Sequence, residues 1–397
     1  MRILPHLERH ESSSASRDGA PRPLPVAPER ILVGLLLPIG DTLLTTPALA
    51  ALHRRFPDSE ITALVSESNA GILDGNPDIA RCVVAPNLGG MSAAERFVTS
   101  VRALRQERYD LIINFSAASA LIARLGARGS SRILLEMSPL WWLRGGTAEY
   151  RACHAVDHYL RTIAPLGVPM PTPEERVPRL YLSERDRSEA RRLLRERGIR
   201  AGDVRVALHV GGDGFSGRKR WAPARFAAVA NGLVERYGAH ILLIGGEADH
   251  ALSEKAAALI PRRAHVLAGS TGLKATAALI ASSALFVGND SAPLHIAAAV
   301  GTRAVGIFGP SDWDEFTPVG KPGYAQRVVH SDVPCSPCFR FVGNAPIWQL
   351  NPCHSYACLK AISPEMVLDA ALELLQGRED GHNGRHGHVG HNGHDGN

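Results

Sequence analysis

The stretch Leu285–Pro310, LFVGNDSAPLHIAAAVGTRAVGIFGP, constrains the fold of this chain more than any other. A short apolar run, Ala284 to Val287, is bounded by Gly288, which suits a buried strand. Asn289, Asp290 and Ser291 follow, and Pro293 stands where a helix can begin. That helix is expected to run through His295 to Val300 and stop at Gly301, with Ala304 to Phe308 as the next strand. The unit is strand, polar turn, helix, strand. Its small polar residues sit at the strand's carboxyl end, where free N–H groups at a helix start favour an anionic group, most often a phosphate. Equally, the three polar residues could merely cap the helix.

The same alternation recurs along the chain. Ile31–Leu37 reads as a strand and Thr42–Phe56 as a helix; Ile61–Val65, Ala80–Ala85 and Leu111–Phe115 are further strands. A helix near Asn69–Gly75 and another at Ala93–Arg108 separate them. Gly167–Arg179 (GVPMPTPEERVPR) is proline-rich and reads as an interdomain connection. Beyond it, Val204–His209 and His240–Ile244 are strands, and Pro223–Tyr237, Ala251–Ile260 and Lys274–Ala281 are helices. Strands alternating with helices imply parallel sheets covered on both faces, an α/β class. With 397 residues the chain exceeds one ordinary core. Expected are one domain over 30–170 and a second over 171–376, their sheets facing across a ligand-binding cleft. Residues 1–29 read as a disordered leader. The Gly/His-rich tail 377–397 cannot build a core, is expected to be disordered, and could bind metal adventitiously.

Composition narrows the function classes. Apolar residues make up 45% and charged residues 21%, as in a soluble globular protein, and no apolar run approaches the roughly 20 residues of a membrane span. The leader lacks an apolar segment behind its arginine, so it reads as neither signal peptide nor anchor, and a cytoplasmic location is expected. A net charge of +5 is only mildly basic, and no nucleic-acid module is evident. The Arg-rich run Arg185–Arg200 is a solvated helix face or a basic patch for an anionic membrane surface.

Three motifs carry chemistry. Pro38-Ile39-Gly40-Asp41 follows the first strand, with Thr45 and Thr46 just beyond; Asp41 there serves as a helix cap or a general base, beside Gly40 and Thr45 on the acceptor side. His209–Trp221 (HVGGDGFSGRKRW) combines glycines with Arg218, Lys219 and Arg220, a combination suited to a diphosphate, yet it matches neither the dinucleotide fingerprint nor a P-loop. Ile244-Gly245-Gly246-Glu247 places Glu247 at a strand end, where it grips ribose hydroxyls or faces solvent. Of six cysteines, four cluster: Cys335, Cys338, Cys353 and Cys358, with His354 beside them. They read as a structural zinc site, as reduced thiols packing a loop, or as a redox pair. SPLWWLRGG offers Trp141, Trp142 and Arg144, which pack a core or lie at a membrane interface; the resemblance named below makes the latter contact with a lipid-linked acceptor.

In this order the pieces resemble glycosyltransferase family 9, the ADP-heptose–lipopolysaccharide heptosyltransferases. The matching segments are PIGDTLLTTPALAAL, KRW, LLIGGEAD, GNDSAPLHIAAAVGTRAVGIFGPSD, CSPCF and CLKAISPEMV, covering about residues 30–372. The resemblance implies a GT-B architecture, two Rossmann-like domains around a cleft. It implies inverting sugar transfer from ADP-heptose or another nucleotide sugar to a lipid-linked sugar acceptor, without cofactor or catalytic metal, with peripheral contact at the inner membrane face as an added prospect. Carried over, Asp41 becomes the base, Lys219 neutralises the leaving diphosphate, and Asp290 binds the donor. Ser291 and the Ala292 backbone would hold phosphate, His295 keeps the family's histidine position as a ligand or a structural residue, and Glu247 matches the nucleoside-binding glutamate loosely. The family often has Thr-Gly where this chain has Ser291-Ala292, so the phosphate contact is expected to differ. Two rival readings are a nucleotide-sugar epimerase of the same architecture and a non-catalytic sugar-nucleotide-binding protein.

Overall fold

Strands this short and this apolar must be covered on both faces, and helices supply the cover. The computed structural model describes residues 27–85, 92–127, 133–136, 153–212, 217–338, 353, 355–376 and 387–389. The first sheet is built from β1 (Arg30–Leu35), β2 (Glu60–Ser66), β3 (Arg81–Ala85), β4 (Leu111–Asn114) and β5 (Ile133–Glu136), in the order β3-β2-β1-β4-β5. The second contains β6 (Arg205–His209), β7 (His240–Leu243), β8 (Ala264–Val266), β9 (Leu285–Asn289), β10 (Ala304–Ile307), β11 (Gln326–Val329) and β12 (Gly387–Val389). Their order is β12-β11-β10-β9-β6-β7-β8. Every pairing is parallel. Chain order reverses between β1 and β4 in one sheet and between β6 and β9 in the other. Loops diverge at such points and leave a crevice at the strands' carboxyl ends. The turn after β1 carries Asp41, and the turns after β6 and β9 carry the Gly-rich loop and Asn289–Ser291.

Burial fits this layering. β9 is buried at all five positions and β4 at all four. The helix Ile39–Leu44 packs against the helix Ala292–Val300, so the first sheet's leading turn rests on the helix that follows β9. His154, at the start of the helix Ala155–Ile163, adds a polar tie: its Nε2 lies 2.7 Å from the Thr317 carbonyl oxygen.

The structure differs from the sequence reading in several places, among them the helices Ala117–Gly126, Ala155–Ile163 and Pro364–Gln376, which the reading did not place. The helix expected over Thr42–Phe56 is two, Ile39–Leu44 and Thr46–Arg55, because Pro47 lacks the N–H that a continuous helix would need. β5, β8 and β11 escaped notice, being only three or four residues long. Gly387–Val389, in the tail expected to be disordered, pairs as β12 with Arg327–Val329. Main-chain pairing to an open sheet edge needs no core of its own.

Candidate functional site

The turn after β1 is held from several directions. Pro38 occupies the cap position of Ile39–Leu44 and makes no side-chain cap bond, so Asp41 lies inside the first helical turn and is not its cap. Thr42 Oγ1 donates to the Pro38 carbonyl at 3.1 Å, and Asn69 Nδ2 donates to Thr42 Oγ1 at 2.9 Å and to the Leu37 carbonyl. The Asp41 carboxylate accepts a 3.0 Å hydrogen bond from Tyr159 Oη, on the helix Ala155–Ile163. Tyr159 is fully buried and meets Phe115 edge to face, with ring centroids 5.4 Å apart. Burial raises the proton affinity of Asp41 above the ordinary carboxylate value; the Tyr159 bond and the Lys219 charge offset this in part, and the Asp290 charge adds to it.

In the second sheet's turns, Lys219 Nζ donates to Asp290 Oδ2 at 2.7 Å. Burial disfavours the Asp290 anion, but Lys219 and then His295 outweigh it and hold the carboxyl below its usual range. Lys219 also lies 5.4 Å from the Phe316 ring centroid. Two residues on, Trp221 anchors the loop. Its indole is buried and donates to the Ile362 carbonyl at 3.1 Å, and its backbone N–H donates to Asn289 Oδ1 at 3.0 Å. Asn289 Nδ2 in turn donates to the Gly211 carbonyl at 2.7 Å. None of the three polar residues caps the helix Ala292–Val300: Asn289 ties two loops, Asp290 pairs with Lys219, and Ser291 makes no side-chain cap bond. The capping alternative is therefore set aside. His295 is buried and pushed down to about 4 by that burial, so it is neutral near pH 7, and its Nδ1 has no hydrogen-bond partner among the described residues.

The two turns meet. A methyl group at Gly40 would lie 3.4 Å from Ala292 Cα and 3.6 Å from His295 Cδ2, ordinary van der Waals distances, so the two turns pack directly on one another here. Asp41 thus faces the Asp290–Lys219 pair closely enough for each charge to act on it. The result is a proton acceptor on one side of a cleft, with a fixed cation and a helix start on the other. That suits a reaction in which a hydroxyl loses a proton while an anionic group departs.

Other expected residues fall differently. Thr45 is fully buried, and its Oγ1 donates to the Thr42 carbonyl at 2.7 Å, a link between the two short helices. Glu247 is exposed in a short turn at Glu247–Asp249; its Oε2 would lie 2.4 Å from a Cβ added at Gly269. Trp141, Trp142, Arg144 and His354 lie outside the described residues, as do residues 213–216 of the Gly-rich loop. The cysteines are free thiols: Cys335 and Cys338 exposed, Cys353 half-buried, Cys358 buried. Among the described residues no group of three or more His, Cys, Asp or Glu side chains is gathered to hold a metal ion. The Tyr356 N–H points at Cys353 Sγ at 3.4 Å and lowers that thiol's pKa; burial pushes Cys358 up to about 11. Sequence reasoning missed Tyr159, Phe316, His209 and Asp249. The last two had a signal, since His209 ends a strand and Asp249 follows the Gly245-Gly246 pair by three residues.

Known proteins match this arrangement. The profile of glycosyltransferase family 9 (heptosyltransferase) matches residues 98–347. A lipopolysaccharide heptosyltransferase 3 of Escherichia coli is 30% identical over 285 residues, covering 69% of this chain and 81% of that one. A solved glycosyl transferase family 9 protein of Veillonella parvula superimposes with a TM-score of 0.72 at 24% identity, covering 88% of this chain and 97% of its own. The E. coli ADP-heptose lps heptosyltransferase II does so with 0.66 at 22% identity, covering 88% and 99%. These likenesses fix the architecture as two facing parallel sheets of GT-B type. The profile spans more than half of the sequence, and the chain belongs to glycosyltransferase family 9.

Proposed function

We propose that the protein transfers heptose from ADP-heptose to a sugar of the lipopolysaccharide core, with inversion at the anomeric carbon. The observation that carries this reading is the meeting of Asp41 with the Asp290–Lys219 pair across the Gly40–Ala292 contact. Asp41 receives the acceptor hydroxyl's proton on Oδ2, while Tyr159 holds Oδ1. The acceptor oxygen bonds to the anomeric carbon as the bond from that carbon to the diphosphate oxygen breaks, and the bonding pair leaves with the oxygen. One displacement inverts the centre. Lys219 and the start of Ala292–Val300 stabilise the departing diphosphate, and Asp290 aligns Lys219 and contacts the donor. Glu247 sits on the nucleoside side of the cleft.

The acceptor is read as lipid-linked, which calls for peripheral contact with a membrane. Among the described residues no helix is long and apolar enough to cross one. The test is ADP release by purified protein given ADP-heptose, with and without a heptose-deficient core acceptor. Release that depends on the acceptor supports the reading. Conversion of the donor alone into an epimeric nucleotide sugar, without net ADP release, favours an epimerase and overturns it; release from a different nucleotide sugar keeps the transfer and replaces heptose.

A further inference from the structure

Large apolar side chains exposed to water gather on one face of the first sheet's cover. They are Val98 on the helix Ala93–Leu104, and Leu121 and Leu125 on the helix Ala117–Gly126. Both helices cover the same side of the sheet, where Val101, Leu104, Ile122 and Ala123 are buried with Leu32, Leu64, Val83 and Ile112. The carboxyl ends of the two helices lie together. A Cβ at Gly126 would fall 2.6 Å from Leu104 Cβ, and Arg105 Nε donates to the Leu125 carbonyl at 3.2 Å. Val98, Arg102 and Arg105 recur at helical spacing and are all exposed, and Leu121 and Leu125 stand one turn apart. Leu121 is 58% exposed, so most of its surface serves no core.

Charge on this face is uneven. Between Ala93 and Ala127 the sequence has Arg96, Arg102, Arg105, Arg108 and Arg124 against Glu95, Glu107 and Asp110. Each acid is engaged within the fold. Glu95 accepts the Ser92 N–H at 2.6 Å, Glu107 pairs with Arg81 at 2.9 Å, and Asp110 accepts the N–H groups of Glu29 and Arg30 at 2.9 and 3.0 Å. Arg102, Arg105 and Arg108 are exposed and form no ion pair among the described residues. The Arg-rich run Arg185–Arg200 is built the other way. On its helix Glu184–Glu196, Arg191 pairs with Glu184 and Arg192 with Glu196, while Leu193 and Leu194 are buried. That helix has cations answered by acids and keeps its leucines inside.

We infer that the face formed by Val98, Leu121 and Leu125 with Arg102, Arg105 and Arg108 docks the protein on an anionic bilayer surface. Aliphatic side chains interleaved with long cationic ones suit the headgroup layer: the leucines reach the acyl boundary while each guanidinium stays with the phosphates. A protein partner fits less well, because a stable interface buries roughly 800 Å² on each side and three partly exposed aliphatic side chains offer much less. The face is also placed for membrane-borne substrate. The helix Ala117–Gly126 starts beside the first sheet's crevice, where Ser116 Oγ donates to the Leu36 carbonyl at 2.8 Å, and Leu121 lies about 6 Å along the axis from Ala117. Delivery of the acceptor from this membrane rests on the lipid-linked reading above; the docking itself does not.

The test is cosedimentation of the full chain with vesicles of phosphatidylcholine alone and of phosphatidylcholine mixed with phosphatidylglycerol. The mixed vesicles should bind at least about tenfold more tightly, and added salt should shrink the difference. Arg102→Gln and Arg108→Gln should each weaken that binding about fivefold and Leu121→Gln about tenfold, whereas Arg187→Gln on the helix Glu184–Glu196 should leave it unchanged. All four positions are exposed, and unchanged urea denaturation shows that the variants are folded. Equal binding to both vesicle types, no binding to either, or indifference to the first three substitutions would overturn the inference. So would a wild type that dimerises in sedimentation velocity and becomes monomeric in Leu121→Gln, since the face would then join two copies of the chain. Vesicle binding by a protein that releases no ADP from ADP-heptose would keep the surface and remove the heptosyl reading; acceptor-dependent release without vesicle binding would do the reverse.

Discussion

Replacing Tyr159 with phenylalanine removes one hydroxyl and leaves the ring that packs on Phe115 in place. What is lost is a 3.0 Å hydrogen bond to Asp41 Oδ1. A hydrogen bond to a charged group contributes about 1.5–3 kcal/mol, and each 1.4 kcal/mol is a factor of about ten in proton affinity. The sign is fixed by which form the hydroxyl favours. It donates to the carboxylate and so lowers Asp41, against the burial that raises it. Without it, Asp41 binds a proton about 10–100-fold more tightly, and the carboxylate needed as base is present only at higher pH. The acid limb of the kcat profile for transfer from ADP-heptose should therefore move up in Tyr159→Phe, while activity on the alkaline plateau falls little, because a more basic carboxylate is there to accept the proton. The assay is ADP release across the pH range at saturating donor and acceptor. A limb that stays in place, or a loss uniform in pH, would refute the claim that Tyr159 works through the ionisation of Asp41.

Four further outcomes are expected. Asp41→Asn should lower turnover by roughly 10²–10⁴ with little change in donor KM, and an equal loss of donor binding would remove Asp41 from the base role. Lys219→Ala should weaken donor binding and turnover together and, by leaving the buried Asp290 unpaired, reduce stability by up to about 3 kcal/mol in urea titrations; unchanged kinetics would take it out of the site. Asp290→Asn should move the acid limb downward, opposite to Tyr159→Phe, since it removes a negative charge that raises Asp41 and releases a cation that lowers it; an upward move would contradict the charge pattern described. Gly34→Ala would bring a methyl within 2.3 Å of Asn114 Oδ1 and 2.4 Å of Ser119 Oγ, and denaturation should show about 1–3 kcal/mol of destabilisation with donor KM unchanged.

The parts legible in sequence were those dictated by local pattern. β1, β6 and β9 announce themselves as apolar runs; Asp290 follows β9 directly, Asp41 lies a few residues past β1, and Lys219 follows β6 after the Gly-rich loop. Because parallel strands place such turns at one edge of a sheet, their convergence could be anticipated from the alternation alone. What could not be read was contact across long separation. Tyr159 lies 118 residues from Asp41 on a helix with no motif, and its hydroxyl reaches the carboxylate only through the packing of that helix on the first sheet. Asp249 was in view, yet Glu247 drew attention because it stands nearer the strand end. The turn instead folds Asp249 inward onto glycines that have no Cβ to exclude it. Thr45 illustrates the opposite error: a hydroxyl beside a motif, engaged wholly in joining two helices. The helix break that uses it was itself signalled by Pro47.

The cleft contains two carboxylates facing one another, and their surroundings divide the work between them. Asp290 has a lysine at 2.7 Å and is stabilised as an anion, which makes it a poor proton acceptor but a firm anchor for that lysine. Among the described residues Asp41 has no cation in direct contact and its side-chain hydrogen-bond donor is neutral Tyr159, and burial makes its proton affinity higher than that of an exposed aspartate. Environments that push two like groups apart in this way identify the acid–base member of the pair. Had the lysine lain beside Asp41 instead, that carboxylate would hold its negative charge too firmly to take a proton from a sugar hydroxyl, and the diphosphate side would lack its cation. Lys219 is kept on the donor side by covalent linkage to Trp221, whose buried indole and backbone N–H are tied to Ile362 and Asn289. Under the proposed assignment, the placement of one tryptophan leaves Asp41 rather than Asp290 as the base.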